Sequence, residues 1–113
     1  HLCGDKALLK VAEGLKNTFR NTDVVGRLGG DEFLVFAREV FDAGVIGKKL
    51  REVSRILRAA EEDQDLYVAV KVSAGIAEAE KGDDFLSLYD KADRALYKAK
   101  AAGRDRFAVW GLE

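Results

Sequence analysis

Residues 27 to 36, RLGGDEFLVF, set two glycines and two carboxylates directly ahead of an apolar run. Glycine has no Cβ and accepts positive φ, so the bare N–H groups of Gly29 and Gly30 can approach a ligand's phosphates closely. Asp31 and Glu32 then offer hard oxygen ligands of the kind Mg²⁺ takes, one or two carboxylates together with phosphate oxygens. Gly-Gly-Asp is also good turn chemistry with no ligand at all, and on composition alone that is its commoner use. Against it stands Phe33: carboxylates abutting a buried strand lose hydration and need a cation or donors to offset the loss.

These residues need elements to carry them. Val24, Val25 and Leu28, then Phe33 to Phe36, flank residues 29–32 as the two strands of a β-hairpin. Leu8, Leu9, Val11, Ala12, Leu15 and Phe19 recur at spacings of three and four, which predicts a helix over about 5–19 with Asp5 at its start. The same spacing in Val45, Ile46, Leu50, Val53, Ile56, Leu57 and Ala60 predicts a second helix over about 42–61. LYVAVKVSAGIA, residues 66–77, alternates as a strand with unlike faces, and Gly75 within it marks a bulge or a close approach. Phe85, Leu88, Tyr89, Ala92, Ala95, Leu96 and Ala99 predict a third helix that Gly103 is placed to stop, and RFAVW closes the chain as a strand. Tyr89, Tyr97 and Trp110 fall on core-facing or strand positions and read as packing. Helix, hairpin, helix, strand, helix, strand gives an α+β fold, helices packed on a largely antiparallel sheet. The first helix has no strand before it.

The chain's 113 residues, 48% of them hydrophobic, suit one domain spanning 1–113. Charged residues make up 35% but cancel to a net −1, so the broad positive field of a nucleic-acid binder is missing and any phosphate recognition is local. The single cysteine, Cys3, forms no internal disulfide, in keeping with a reducing compartment. No apolar stretch approaches the roughly 20 residues of a membrane-spanning helix. A chain that begins at His1 and holds no methionine is expected to belong to a longer one, whose targeting or sensory segments lie elsewhere.

RLGGDEFLVF resembles the signature of the GGDEF family, the diguanylate cyclase domains that condense two GTP molecules into cyclic di-GMP. Three further stretches resemble the family in its own order. HLCGDKALL is similar to its Gly-His-x-x-Gly-Asp helix start, entered one residue late; SAGIA to its Ser-x-Gly-x-Ala strand; and ADRALYKAKAAGRDR to its Ala-Asp-x-Ala-Leu-Tyr-x-Ala-Lys-x-x-Gly-Arg-Asn-Arg end, with Asp105 where the family has asparagine. The resemblance implies a nucleotidyl-cyclase-like, ferredoxin-like fold. It also implies an interior strand ahead of the first helix, carrying an aspartate metal ligand, and a loop with a guanine-binding asparagine. Neither is in this sequence, so residues 1–113 alone are expected to be inactive.

The roles implied by the resemblance fall on named positions. Asp5 would bind the guanine edge, beside a helix N-cap role that suits it equally, and His1 matches the family's histidine among the substrate-binding positions. Gly29 and Gly30 would cradle the phosphates. Asp31 would be a metal ligand and the base for the 3′-hydroxyl, with Glu32 its neighbouring carboxylate. Lys100 and Arg104, four apart on either side of the Gly103 stop, would converge on the triphosphate in a cleft shared with the hairpin; without the resemblance they read as favourable charge at a helix C-terminus. Arg20 and Asp23 in RNTD are similar to the family's Arg-x-x-Asp site for inhibitory cyclic di-GMP, with a surface salt bridge as the plainer use. Arg51 lies near an extra arginine that some members place at that site.

The expected protein is a cytoplasmic enzyme domain of bacterial second-messenger signalling that uses Mg²⁺ or Mn²⁺. It works as a head-to-tail homodimer driven by an upstream sensory or regulatory domain, and does not bind nucleic acid. Membrane anchoring of the parent is left open. The alternative is a catalytically inactive module of the same family that binds GTP or cyclic di-GMP and regulates a neighbouring domain. A plain ferredoxin-like scaffold would account for the element order and leave the joint motifs unexplained.

Overall fold

The computed structural model describes residues 2–20, 23–29, 32–37, 43–62 and 70–111. In chain order its elements are α1 (Leu2–Thr18), β1 (Val24–Gly29), β2 (Glu32–Phe36), α2 (Ala43–Glu62), β3 (Ala74–Ile76), α3 (Phe85–Ala101) and β4 (Phe107–Val109). This is the predicted α+β succession. The chain divides into two compact units, His1–Val40 with Arg51–Val70, and Phe41–Leu50 with Lys71–Glu113.

In the first unit the helical period decides what is buried. Val11, Leu15 and Phe19 of α1 and its C-terminal end, and Val53, Leu57 and Ala60 of α2, turn inward at spacings of three and four. Gly14 lets the helices approach, since a Cβ there would lie 3.4 Å from Val53 Cγ1. α1 begins at Leu2, not at Asp5, so Asp5 stands one turn inside the helix and the N-cap role falls away. Only Gly4 in that stretch resists helical φ/ψ, at a cost of about 1 kcal/mol, and seventeen residues of helix absorb it. β1 and β2 pair antiparallel, Val24 opposite Phe36 and Arg27 opposite Phe33.

The second unit is a strand, a helix and a strand. β3 and β4 run parallel, Ala74 opposite Phe107 and Ile76 opposite Val109, because a helix joins them; a parallel pair needs such a crossover. Of the two strand pairs among the described residues, then, one is antiparallel, as predicted, and one is parallel. The strand predicted over 66–77 forms a ladder only at Ala74–Ile76; residues 70–73 stay outside it, and 63–69 lie outside the described residues. Ile76, Ala95 and Ala99 are buried. Tyr97 sits between the two inward alanines on the opposite face and is 75% exposed, which corrects its reading as packing. Trp110 is also partly exposed, and Tyr89 packs its ring 6.0 Å from that of Phe85.

Gly75 sets the distance between β3 and α3. A Cβ at this position would collide with the Ala92 carbonyl oxygen and the Leu96 backbone nitrogen, neither of which can swing aside as a side chain does. The sequence leaves both a bulge and a close approach open at Gly75; the structure makes it a close approach.

α3 starts on a capping box. The Asp84 carboxylate accepts the Ser87 N–H at 2.8 Å while Ser87 Oγ accepts the Asp84 N–H at 3.0 Å. Beside it the Asp83 carboxylate accepts from the Glu80 N–H at 2.9 Å, the Lys91 ammonium at 3.0 Å and the Ser87 hydroxyl at 2.8 Å. These donors, the Glu80 N–H foremost, pull its pKa from 3.8 to about 2.

Two outcomes follow for stability. Gly75→Ala should cost about 3 kcal/mol or more in urea unfolding, or prevent folding, whereas Gly82→Ala, with open space around its Cβ, should cost only about 1–2 kcal/mol, that of an alanine at positive φ. Because Asp83 titrates lower when folded, its contribution is complete above its unfolded pKa of 3.8 and vanishes as pH falls toward 2. Asp83→Asn should therefore lower the urea midpoint at neutral pH, with the gap to wild type closing between about pH 4 and 2; a gap constant over that range would mean the carboxylate charge is not what holds the cap.

Candidate functional site

The carboxylate-bearing reversal is the end of a hairpin. The β1–β2 ladder runs to Gly29 opposite Glu32, and a register shift between Arg27 and Gly29 makes Leu28 the extra residue of a β-bulge. Gly30 and Asp31, which join the strands, lie outside the described residues, as does His1. Glu32 is exposed as the first residue of β2, and no side-chain partner engages it among the described residues. The desolvation expected from the strand behind it does not arise at Glu32: Phe33, Leu34 and Val35 are only half-buried. An exposed carboxylate at a strand start, next in sequence to Asp31, remains a hard-oxygen donor open to a cation.

Beside the hairpin, α1 and β1 with β2 line an open groove of about 380 Å³. Its walls are mainly apolar, from Leu8, Leu9, Ala12, Val25 and Phe33, with Lys16 the charged group. Asp5 lies one helical turn before Leu8, on the same helix.

Arg20 and Asp23 are joined at the exit of α1. Asp23 Oδ2 accepts the Arg20 N–H at 3.0 Å, the Asp23 N–H returns to the Arg20 carbonyl at 2.9 Å, and the guanidinium Nη2 lies 3.6 Å from Oδ1. The Asp23 side chain is fully buried, while the Arg20 side chain remains 46% exposed. The pair thus closes the helix-to-strand junction, and only its cation faces outward. Arg51, also in the first unit, is an exposed residue of α2.

Lys100 and Arg104 belong to the second unit. Lys100 is in the last turn of α3, beyond which the Gly103 N–H bonds the Lys100 carbonyl at 3.3 Å and the Arg104 N–H bonds the Ala99 carbonyl at 3.0 Å. This is a Schellman ending, with Gly103 at φ +123° as its left-handed residue. The left-handed run then continues through Arg104 at φ +62° and Asp105 at φ +50°. For side chains with a Cβ such a backbone costs on the order of 1 kcal/mol each, and it persists where the surroundings over-determine it. Among the described residues neither the Lys100 ammonium nor the Arg104 guanidinium has an ion-pair partner, and both residues are exposed. Sequence reasoning missed this strain, although asparagine and aspartate, the two residue types met at position 105, are among those that tolerate left-handed backbone.

The family description "Diguanylate cyclase, GGDEF domain" matches residues 1–106. The chain belongs to the GGDEF diguanylate cyclase family. Among curated relatives it is 36% identical to diguanylate cyclase DgcP of Pseudomonas aeruginosa, over 96% of this chain and 16% of that protein. It is 35% identical to DgcS of Shewanella oneidensis, over 96% of this chain and 36% of that protein. The chain therefore spans a sixth to about a third of these relatives. Of solved structures, it is similar to the GGDEF domain of TpbB, or YfiN, of P. aeruginosa, with TM-score 0.85, 29% identity, and 99% of this chain and 66% of that chain covered. It is also similar to the GGDEF domain of Caulobacter crescentus DgcB in complex with c-di-GMP, with TM-score 0.83, 29% identity, and 99% and 67% covered. These neighbours agree with the α+β cyclase-like fold.

The turn after α3 gives opposite signs at adjacent residues. Gly103→Ala should lower stability by about 1–2 kcal/mol in urea unfolding, since alanine resists that backbone. Arg104→Gly should raise the midpoint, because it removes a Cβ from a left-handed position.

Proposed function

We propose that residues 1–113 supply the GTP-condensing site of a diguanylate cyclase, acting as a head-to-tail homodimer with product inhibition through Arg20 and Asp23. The observation that carries this reading is the family match over residues 1–106, in which hairpin and α3 motifs occur together in one chain. It is supported by the complex of the similar DgcB domain with c-di-GMP. The open groove beside α1, mainly apolar-walled and about 380 Å³, has room for a purine base, with Asp5 one turn away along α1 as the acceptor for the guanine N–H groups.

Gly29 and Gly30 present backbone N–H groups to the phosphates, and Lys100 and Arg104 add charge-assisted donors to the triphosphate. Asp31 accepts the proton of the 3′-hydroxyl as its oxygen attacks the α-phosphate of the GTP on the partner copy, and pyrophosphate leaves; a second, reciprocal attack closes the ring. Asp31 and Glu32 are the residues that would hold Mg²⁺ or Mn²⁺, a fit to the exposed Glu32 and to hard carboxylate chemistry. When bound, such an ion neutralises charge on the phosphates. The exposed Arg20 guanidinium, fixed by the buried Asp23, grips a phosphate or the guanine edge of cyclic di-GMP bidentately. On this reading the product inhibits the protein at Arg20 and Asp23, and, separately, an upstream domain switches it on by bringing two copies together.

The protein containing this chain, incubated with GTP and Mg²⁺, should yield cyclic di-GMP and pyrophosphate, and Asp31→Asn should reduce turnover by on the order of a hundredfold or more. A folded dimer that binds GTP without forming product would instead make the chain an inactive, nucleotide-sensing member. Arg20→Ala should weaken cyclic di-GMP binding in calorimetry by roughly tenfold or more; unchanged affinity, with an altered melting temperature, would leave Arg20 a structural residue only.

A further inference from the structure

We infer that Ser73 is a positioning residue for the Arg104 guanidinium: its hydroxyl holds the left-handed turn from which that side chain projects. The inference rests on the proposed role of Arg104 at the GTP phosphates. Three consecutive residues, Gly103, Arg104 and Asp105, have positive φ, of which only the first is glycine. At residues that carry a Cβ such a backbone persists where bonds around it over-determine it. Arg104 itself is clamped within its own segment, its N–H on the Ala99 carbonyl at 3.0 Å and its carbonyl accepting Arg106 Nε at 3.0 Å. The next peptide is different. The Asp105 N–H donates to Ser73 Oγ at 3.0 Å, across thirty-two residues of sequence.

Ser73 is a firm post for that bond. It directly precedes β3, which Gly75 presses onto the backbone of α3 and which the parallel ladder ties to β4. The Ala74 N–H bonds the Arg106 carbonyl at 3.0 Å, so two adjacent residues, Ser73 and Ala74, grasp the turn on either side of its last left-handed residue. The acceptor is a side chain at Ser73 and a substitution can remove it; the donor at Ala74 is backbone and stays. Without the hydroxyl, Asp105 can leave φ +50° for the ordinary right-handed or extended regions, and Arg104 then points elsewhere.

The test is GTP and guanosine affinity, by calorimetry with Mg²⁺, for the full protein and its Ser73→Ala, Ser73→Thr, Arg104→Ala and Ser73→Ala/Arg104→Ala variants. Ser73→Ala is expected to weaken GTP about fivefold and leave guanosine unchanged. Ser73→Thr, which keeps an acceptor oxygen, is expected to restore GTP binding to within twofold. In the Arg104→Ala background, Ser73→Ala is expected to add less than twofold. Loss of GTP affinity by Ser73→Ala to the same extent with and without Arg104, equal loss for guanosine, or no loss at all would each overturn the positioning role. If Arg104→Ala itself leaves GTP affinity unchanged, the phosphate assignment of Arg104 fails, and the role of Ser73 fails with it.

Discussion

The contact between two backbones at Gly75 sets the geometry of the second unit. With no side chain between them, β3 lies against α3 at the turn of Ala92 and Leu96, and the parallel ladder carries that placement to β4. α3 ends at Ala101 and β4 begins at Phe107, so the residues 102–106 must reverse the chain and deliver it into register with Ala74. A connection so short cannot wander. It takes the Schellman ending at Gly103 and then two further left-handed residues, whose strain is the local consequence of a close helix–strand approach several residues away.

The first unit meets a comparable demand with a charge. α1 leaves its last carbonyl groups and the first residues of β1 to be joined within Arg20–Asp23, and the Asp23 carboxylate closes that junction from inside the fold. A buried carboxylate costs free energy unless donors and a cation meet it, and Arg20 meets it twice, with its N–H and its guanidinium. The plain use of this pair and the proposed one are therefore not rivals. A guanidinium that is anchored on one edge and 46% exposed has already lost some of its conformational freedom, which lowers the entropic cost of gripping an anion on the other edge.

What is legible in the sequence is what period and punctuation carry. The helices are readable because their apolar residues recur every three or four positions over long spans; the hairpin, because glycines separate a pair of apolar runs; the stop of α3, because Gly103 follows its last apolar position. Errors arise where a short element depends on partners elsewhere. Alternation over 66–77 reports two-faced residues but not where a ladder forms, and among residues 70–77 it forms only at Ala74–Ile76. Tyr97 reads as a core-facing position, yet it lies off the period set by Ala92, Ala95, Leu96 and Ala99 and is exposed. The parallel sense of β3 and β4, on which the overall expectation of a largely antiparallel sheet is silent, follows from the helix between them. Of the candidate site residues, glycine and carboxylate types announce the hairpin, whereas Ser73, although it opens the SAGIA motif, gives no sign of its partner: its bond to Asp105 exists only once β3 and the end of α3 are side by side.

The proposed phosphate-binding end of α3 has an electrostatic difficulty that its details answer. A helix C-terminus carries roughly half a negative charge from its aligned peptides, which repels phosphate, and the chain as a whole, at −1, offers no compensating field. Two local features change the sign. The carbonyls of Ala99 and Lys100, which belong to that negative end, are occupied by the Arg104 and Gly103 N–H groups. Lys100 and Arg104 then add two full cations, with Lys98 in the same last turn, against a fraction of one charge. A straight helical continuation would carry Arg104 on along the helix axis; the left-handed turn instead folds its backbone back over the helix end, where its N–H covers the Ala99 carbonyl. Strain at this turn and local positive charge thus meet in one arrangement, the local field that the proposed triphosphate site asks of a chain whose net charge is near zero.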